Sequence, residues 1–265
     1  MLKLNMFVAA AAMMILLAAA APADYRDTSG VRYVFASLSK PDWAYREEAG
    51  GRIQRFEVRS GDRGWPGDAA NRNERSELIT AGLFTTQPEL FYRNGTDAWV
   101  SYAIKVEEGP PIISPLVVVG QMHPVADKRD HGSTDVRFQL GPTDTDAIPI
   151  RLFTVSDANP ISSRTQPSVT RWQGVLRRGQ WTRIVMHVVR SPFGRGALDL
   201  WIDGRRVLKL RDVAIGANNA ENGFYWQYGI YRRENANPIA IDYANMEQGH
   251  HSLFARVNTP LAIPQ

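Results

Sequence analysis

The sequence predicts an all-β chain, folded as a sandwich or jelly roll of two antiparallel sheets. Three observations carry this. Short runs of β-branched and aromatic residues recur along the chain, broken by turn residues. The run from Trp99 to Val106 alternates cleanly: Val100, Tyr102, Ile104 and Val106 share one side, Trp99, Ser101, Ala103 and Lys105 the other. No stretch sustains a helical period, and no composition shift or internal repeat divides the chain. Its 265 residues suffice for one large β domain.

Taken in order, the chain opens on a targeting signal. Lys3 supplies a charged start, Met6 to Ala20 is apolar and uncharged, and Ala21-Pro22-Ala23 has the small–x–small form of a cleavage site. Residues 1–23 are therefore expected to be a signal peptide, and 24–265 a single domain exported to a periplasm or the medium. The apolar run is short for a membrane span and no later stretch qualifies, so no membrane contact is expected after cleavage. Strands are expected at Val31 to Ser37 and Arg52 to Arg59. A polar loop, Ser60 to Asn73, precedes a strand at Glu74 to Thr80. The Asn94-Gly95 turn leads into Trp99 to Val106. After a Pro-rich turn, Leu116 to His123 is the next strand; a charged loop, Asp127 to Asp135, follows it. Val136 to Leu140 and Ile150 to Val155 are short strands, and Ser156 to Thr170 reads as a long polar loop. Trp181 to Arg190 is a strong strand. Leu198 to Leu210 is a hairpin around Asp203-Gly204. Gly223 to Tyr231 and Ile239 to Met246 complete the set.

Composition excludes several function classes. Hydrophobic residues make up 44% and charged residues 22%, enough for an ordinary core. The net charge of +4 suits an acidic partner, but Lys and Arg are scattered, which argues against nucleic acid. With no Cys there are no disulfides, thiolate nucleophiles or Cys-ligated metals.

Chemistry concentrates in three stretches. In Tyr225-Trp226-Gln227-Tyr228-Gly229-Ile230-Tyr231, strand alternation puts Tyr225, Gln227, Gly229 and Tyr231 on one polar face. Trp226, Tyr228 and Ile230 form a core face, and Gly229 leaves a gap where a ligand could approach the backbone. Arg75 and Glu77 face together in Glu74-Arg75-Ser76-Glu77-Leu78. This is either an exposed salt-bridged strand or an Arg braced to receive a carboxylate. Gln121 and His123 face together in Gly120-Gln121-Met122-His123-Pro124. The other histidines, His131, His187, His250 and His251, read as background. An Arg, an amide, a His and a Tyr suit β-elimination at a 4-linked uronic acid. That reaction needs the carboxylate neutralised, a base for the C5 proton and an acid for the O4 leaving group, with no metal or organic cofactor.

These stretches resemble the signature segments of the jelly-roll polysaccharide lyases. Alginate lyases of that fold carry Arg-Ser/Thr-Glu-Leu/Arg, Gln-Ile/Val-His and Tyr-Phe-Lys-x-Gly-x-Tyr, in the order found here. Phe56-Glu57-Val58-Arg59, Gln180-Trp181 and Trp201-Ile202-Asp203-Gly204 are closer to the heparin-lyase-I-like and glucuronan-lyase branch. The resemblance implies a concanavalin A-like sandwich and an acidic polysaccharide as partner; the mature chain is expected to be a monomer. It also implies roles. Tyr231 would donate the proton and, on some substrates, abstract one. His123 would be the base or neutralising His, and Arg75 and Gln121 would bind the carboxylate. Glu77, Tyr225, Gln227 and Arg233 would line or brace the cleft. Gln227 stands where the family commonly has Lys, so lowering of the Tyr231 pKa would rest on Arg75 and on Arg232 or Arg233. Some members bind calcium, but no Asp-rich calcium loop stands out. A glycoside hydrolase of this fold is disfavoured, because no Glu has an Asp two positions on. The main alternative is a non-catalytic glycan-binding module using Trp99, Tyr225 and Trp226. A structural envelope protein is the least favoured.

Overall fold

The computed structural model describes residues 25–26, 32–36, 41–80, 92–124, 134–157, 168–217 and 223–264. The expected signal peptide, most of the charged loop after His123 and much of the 156–170 loop lie outside the described residues. The described residues contain fifteen strands, two short α-helices and one 3-10 turn at Ala49–Gly51: β1 (Tyr25–Arg26), β2 (Arg32–Ala36), β3 (Tyr45–Glu48), β4 (Ile53–Val58), α1 (Pro66–Asn71), β5 (Asn73–Thr80), β6 (Asp97–Val106), β7 (Val117–Pro124), β8 (Val136–Leu140), β9 (Ala147–Asp157), β10 (Ser168–Arg177), β11 (Thr182–Val189), β12 (Ser191–Ile202), β13 (Arg205–Ala217), β14 (Phe224–Arg233), β15 (Ile239–Gly249) and α2 (Ala255–Asn258). Among the described residues no helix is long and apolar enough to cross a membrane.

The strands form two layers. The front sheet runs β1-β2-β5-β14-β7-β8-β9, with β10 paired to β9; the back sheet runs β13-β12-β11-β6-β15-β4-β3. Pairing is antiparallel within both. The layers join at one side, where Gly216 and Ala217 run parallel to Ser156 and Asp157. The core between them follows from the alternation. Trp226, Tyr228 and Ile230 of β14 are fully buried. The Trp226 ring lies 5.9 Å from that of Tyr102 on β6. Tyr228 packs edge-on against Phe56 of β4 at 5.6 Å and Tyr243 of β15 at 5.1 Å. Gly120 makes room for this packing, since a Cβ there would sit 2.7 Å from the Trp226 ring.

The expected strands are all present where the chain is described, and Asp203-Gly204 turns the β12–β13 hairpin with positive φ at both residues. Several elements escape a pattern reading, β3, β10 and α1 among them. β3 has only four residues. β10 is an edge strand, mostly exposed, so it carries no apolar alternation. Helix α1 falls inside the expected Ser60 to Asn73 loop. Six residues are too few to show a period, and its one signal is a Pro in the first turn.

The aromatic set of the binding-module reading does not share a face. Trp226 is in the core. Trp99 lies on the outer face of the back sheet, stacked on His187 at 4.3 Å and near Trp201 at 6.0 Å.

Candidate functional site

Strand β14 lies between β5 and β7, and its register aligns the three stretches. Against β5, Gln227 is opposite Ile79, Gly229 opposite Glu77 and Tyr231 opposite Arg75. Against β7, Tyr225 is opposite His123 and Gln227 opposite Gln121. Directly paired residues face the same way. Arg75, Glu77, Gln121, His123, Tyr225, Gln227 and Tyr231 therefore stand on one face of the front sheet, turned away from the core.

Glu77 is the hub of this row. It is 1% exposed and accepts from Gln121 Nε2 at 2.9 Å, Gln227 Nε2 at 3.3 Å and Arg75 Nη1 at 3.3 Å. Arg75 also binds Asp68 through two hydrogen bonds, Nε to Oδ2 at 2.9 Å and Nη2 to Oδ1 at 2.8 Å. Asp68 is fixed in turn at the start of α1, accepting from the backbone amides of Gly64 and Trp65 at 3.0 and 2.8 Å. The Arg75 guanidinium carbon lies 4.6 Å from the centre of the Tyr231 ring.

A second chain of contacts orients the phenol. Arg233 Nη1 donates to Asn73 Oδ1 at 3.0 Å. A guanidinium can only donate, so the other end of that amide is its NH₂. Asn73 Nδ2 donates to the Tyr231 oxygen at 2.5 Å, which leaves the phenol hydrogen free to point elsewhere. Arg232 faces the other way, buried against Glu74 at 2.7 Å. At the far end of the row, His123 Nδ1 lies 2.8 Å from the carbonyl of Pro124. A carbonyl only accepts, so the neutral ring carries its proton on Nδ1 and exposes the lone pair on Nε2. The His123 ring is 5.7 Å from Tyr225. No direct contact joins His123 to Tyr231; Gln121, Gln227 and Glu77 lie between them.

Burial raises the Tyr231 pKa; Arg75 pulls it down, the Asp68 and Glu77 carboxylates push it up, and Arg233 lowers it more weakly. The expectation of a phenol lowered by neighbouring cations is thus not met. Arg75 is already neutralised by two acids, and Arg232 is on the wrong face. Burial also raises the Glu77 pKa against the opposing pull of Arg75 and Gln121.

Gly229 also differs from its expected role. Its φ is +128°, and a Cβ there would lie 2.3 Å from the Ser76 carbonyl and 2.7 Å from the Glu77 Cα. The gap is filled by the β5 backbone and gives no ligand access. Asp68 and Asn73 are the participants that motif reading misses. Asp68 sat in an apparent loop, and Asn73 lay at its edge. Among the described residues no three His, Asp or Glu side chains cluster to hold a metal ion.

The fold and this row can be set beside known proteins. No curated protein matches the chain. The endo-β-1,4-glucuronan lyase from the fungus Trichoderma reesei superposes with a TM-score of 0.57 at 14% identity, covering 82% of this chain and 94% of its own. An alginate lyase from Pseudomonas aeruginosa gives 0.55 at 16% identity, with 86% and 96% covered. A family 7 alginate lyase in complex with product gives 0.53 at 10% identity, with 86% and 93% covered. At such identities the likeness is one of fold, a β-jelly roll. A family model described as polysaccharide lyase matches residues 25–254. That span takes in every strand of both sheets and the whole row from Arg75 to Tyr231, and the chain belongs to the polysaccharide lyase family.

Proposed function

We propose that this polysaccharide lyase cleaves a 4-linked, uronate-containing polymer by β-elimination. The observation that carries the reading is the Glu77-centred row ending in a phenol whose hydrogen is unclaimed. The solved structures that share the fold are named as lyases of glucuronan and alginate, which are both acidic polymers.

The substrate carboxylate lies against Arg75 and Gln121. Glu77 and Asp68 take up only some of their N–H groups, so each has donors left for the substrate. Withdrawing charge from the carboxylate makes the C5 proton acidic and stabilises the enolate-like transition state. His123 Nε2 takes that proton. The C5 electron pair forms the C4–C5 double bond, the C4–O4 bond breaks, and Tyr231 gives its hydrogen to O4. A raised phenol pKa suits a group that must arrive protonated. Proton exchange with water then resets both residues. Tyr225, Gln227, Glu77 and Arg233 brace or line the site. The scheme uses no metal or organic cofactor. The same reading has residues 1–23 removed on export to a periplasm or the medium, and the mature chain acting as a monomer.

The test is a panel of alginate, glucuronan, heparin-like and chondroitin-like polymers followed by ultraviolet absorbance. The new double bond is conjugated to the carboxylate, so at least one polymer should gain absorbance with time. Binding to a polymer with no absorbance gained on any would favour a glycan-binding module.

A further inference from the structure

We propose that Arg137 binds a second uronate carboxylate, on the sugar next to the one whose bond breaks. The inference rests on the elimination reading for its substrate class, but its grounds are separate. Arg137 is on β8, directly opposite Gln121 on β7 and Phe153 on β9. It therefore extends the polar row one strand beyond the residues the motifs single out. Its guanidinium carbon lies 5.1 Å from the centre of the Phe153 ring, which holds the flat group in place.

Among the described residues, Arg137 and Arg183 are the arginines whose Nε is buried without an acceptor, and of these two only Arg137 lies on the front sheet, beside the polar row. Arg75 is bound by Asp68 and Glu77, Arg232 by Glu74, Arg63 by Glu234 and Arg190 by Asp135. Arg137 has no carboxylate among the described residues, and its Nε is buried without an acceptor. Burial lowers its pKa with no anion to offset the shift. A half-buried cation left unpaired costs stability, and that cost persists in a folded protein where a ligand offsets it. The ligand must be an anion that a planar fork can grip, and a carboxylate fits. Neighbouring strands lie about 4.8 Å apart, close to the length of one 4-linked pyranose. A polymer crossing from β7 to β8 thus brings its next carboxylate toward Arg137. Arg151, exposed on β9 opposite Gln139, continues the positive line on the same face.

The test compares wild type with Arg137→Gln and Arg137→Lys. Affinities for a glucuronate hexamer, a mannuronate hexamer and neutral cellohexaose are measured by calorimetry, alongside thermal unfolding. Arg137→Gln should weaken binding of at least one hexauronate by about tenfold or more, leave cellohexaose binding unchanged and leave Tm unchanged or higher. Arg137→Lys, with the charge but not the fork, should fall between. On any polymer that is cut, KM should rise with kcat within about threefold. Hexauronate affinity of Arg137→Gln within about twofold of wild type would overturn the proposal, as would a wild type that binds neither hexauronate. If the wild type cuts no polymer, the elimination scheme falls, and the affinity comparison still decides the role of Arg137.

Discussion

Glu77 accepts hydrogen bonds from residues on three strands, and its neighbours act through it. Its carboxylate holds the Gln121 and Gln227 amides in place and shares Arg75 with Asp68. Gln227, where the family commonly has Lys, joins this network as a donor to Glu77. Tyr231 shows what a single atom decides. Asn73 donates to its oxygen, so the phenol hydrogen remains available to a leaving group. Tyr231→Phe removes that hydrogen and keeps the ring against Arg75. Turnover of the cleaved polymer should drop about 10²- to 10⁴-fold, with affinity changed only a few-fold; near-normal turnover would move the proton to another residue. At this scale the sequence was informative where residues two apart on a strand face together, as Arg75 with Glu77 and Gln121 with His123. It could not show that Arg75 is held by Asp68, because that partner lies seven residues away in a helix too short to announce itself.

At the scale of elements, β14 organises the site. It is regular against β5 but bulged against β7, where Tyr228 pairs with Gly120 and Tyr231 with Val118. A bulge bends a strand and re-aims the side chains beyond it. Here it lies between the Gln227 and Tyr231 ends of the row. Gly229 makes it possible, and Tyr243 donates to the Gly229 carbonyl at 2.9 Å from the opposite sheet. Gly229→Ala would place a methyl group against the Ser76 carbonyl at positive φ. We expect it to destabilise the fold by more than about 2 kcal/mol and to abolish turnover, as read by urea unfolding and the absorbance assay. A loss below about 0.5 kcal/mol would refute the close-packing argument. Strand positions were legible from alternation, but the bulge was not, since it is a mismatch between two strands.

At the scale of the whole molecule, the sandwich carries a titratable cluster on the back sheet, away from the candidate site. Lys105 Nζ lies 2.6 Å from Glu107 and 3.0 Å from Asp242. Burial, with the nearby Glu107 carboxylate, pushes the Asp242 pKa up to about 7 against the pull of Lys105. The folded state therefore holds this proton more tightly than the unfolded chain. The resulting stabilisation is full below the ordinary Asp value and is lost as pH rises through about 7. Unfolding followed between pH 4 and 8 should show Asp242→Asn lacking part of the wild-type decline with pH. Identical pH slopes for the two proteins would rule this cluster out as the cause.

The sequence by itself determined the β class, the order of the principal strands and the identity of the three polar faces. These follow from a two-residue period and from turn chemistry, both written locally in the chain. Only the tertiary structure decided how those faces meet. Which strands are neighbours, which carboxylates neutralise Arg75, which way Arg232 points and what surrounds Arg137 all depend on pairings between distant segments. Such pairings are set by how two sheets bury a shared core, and no local pattern encodes them.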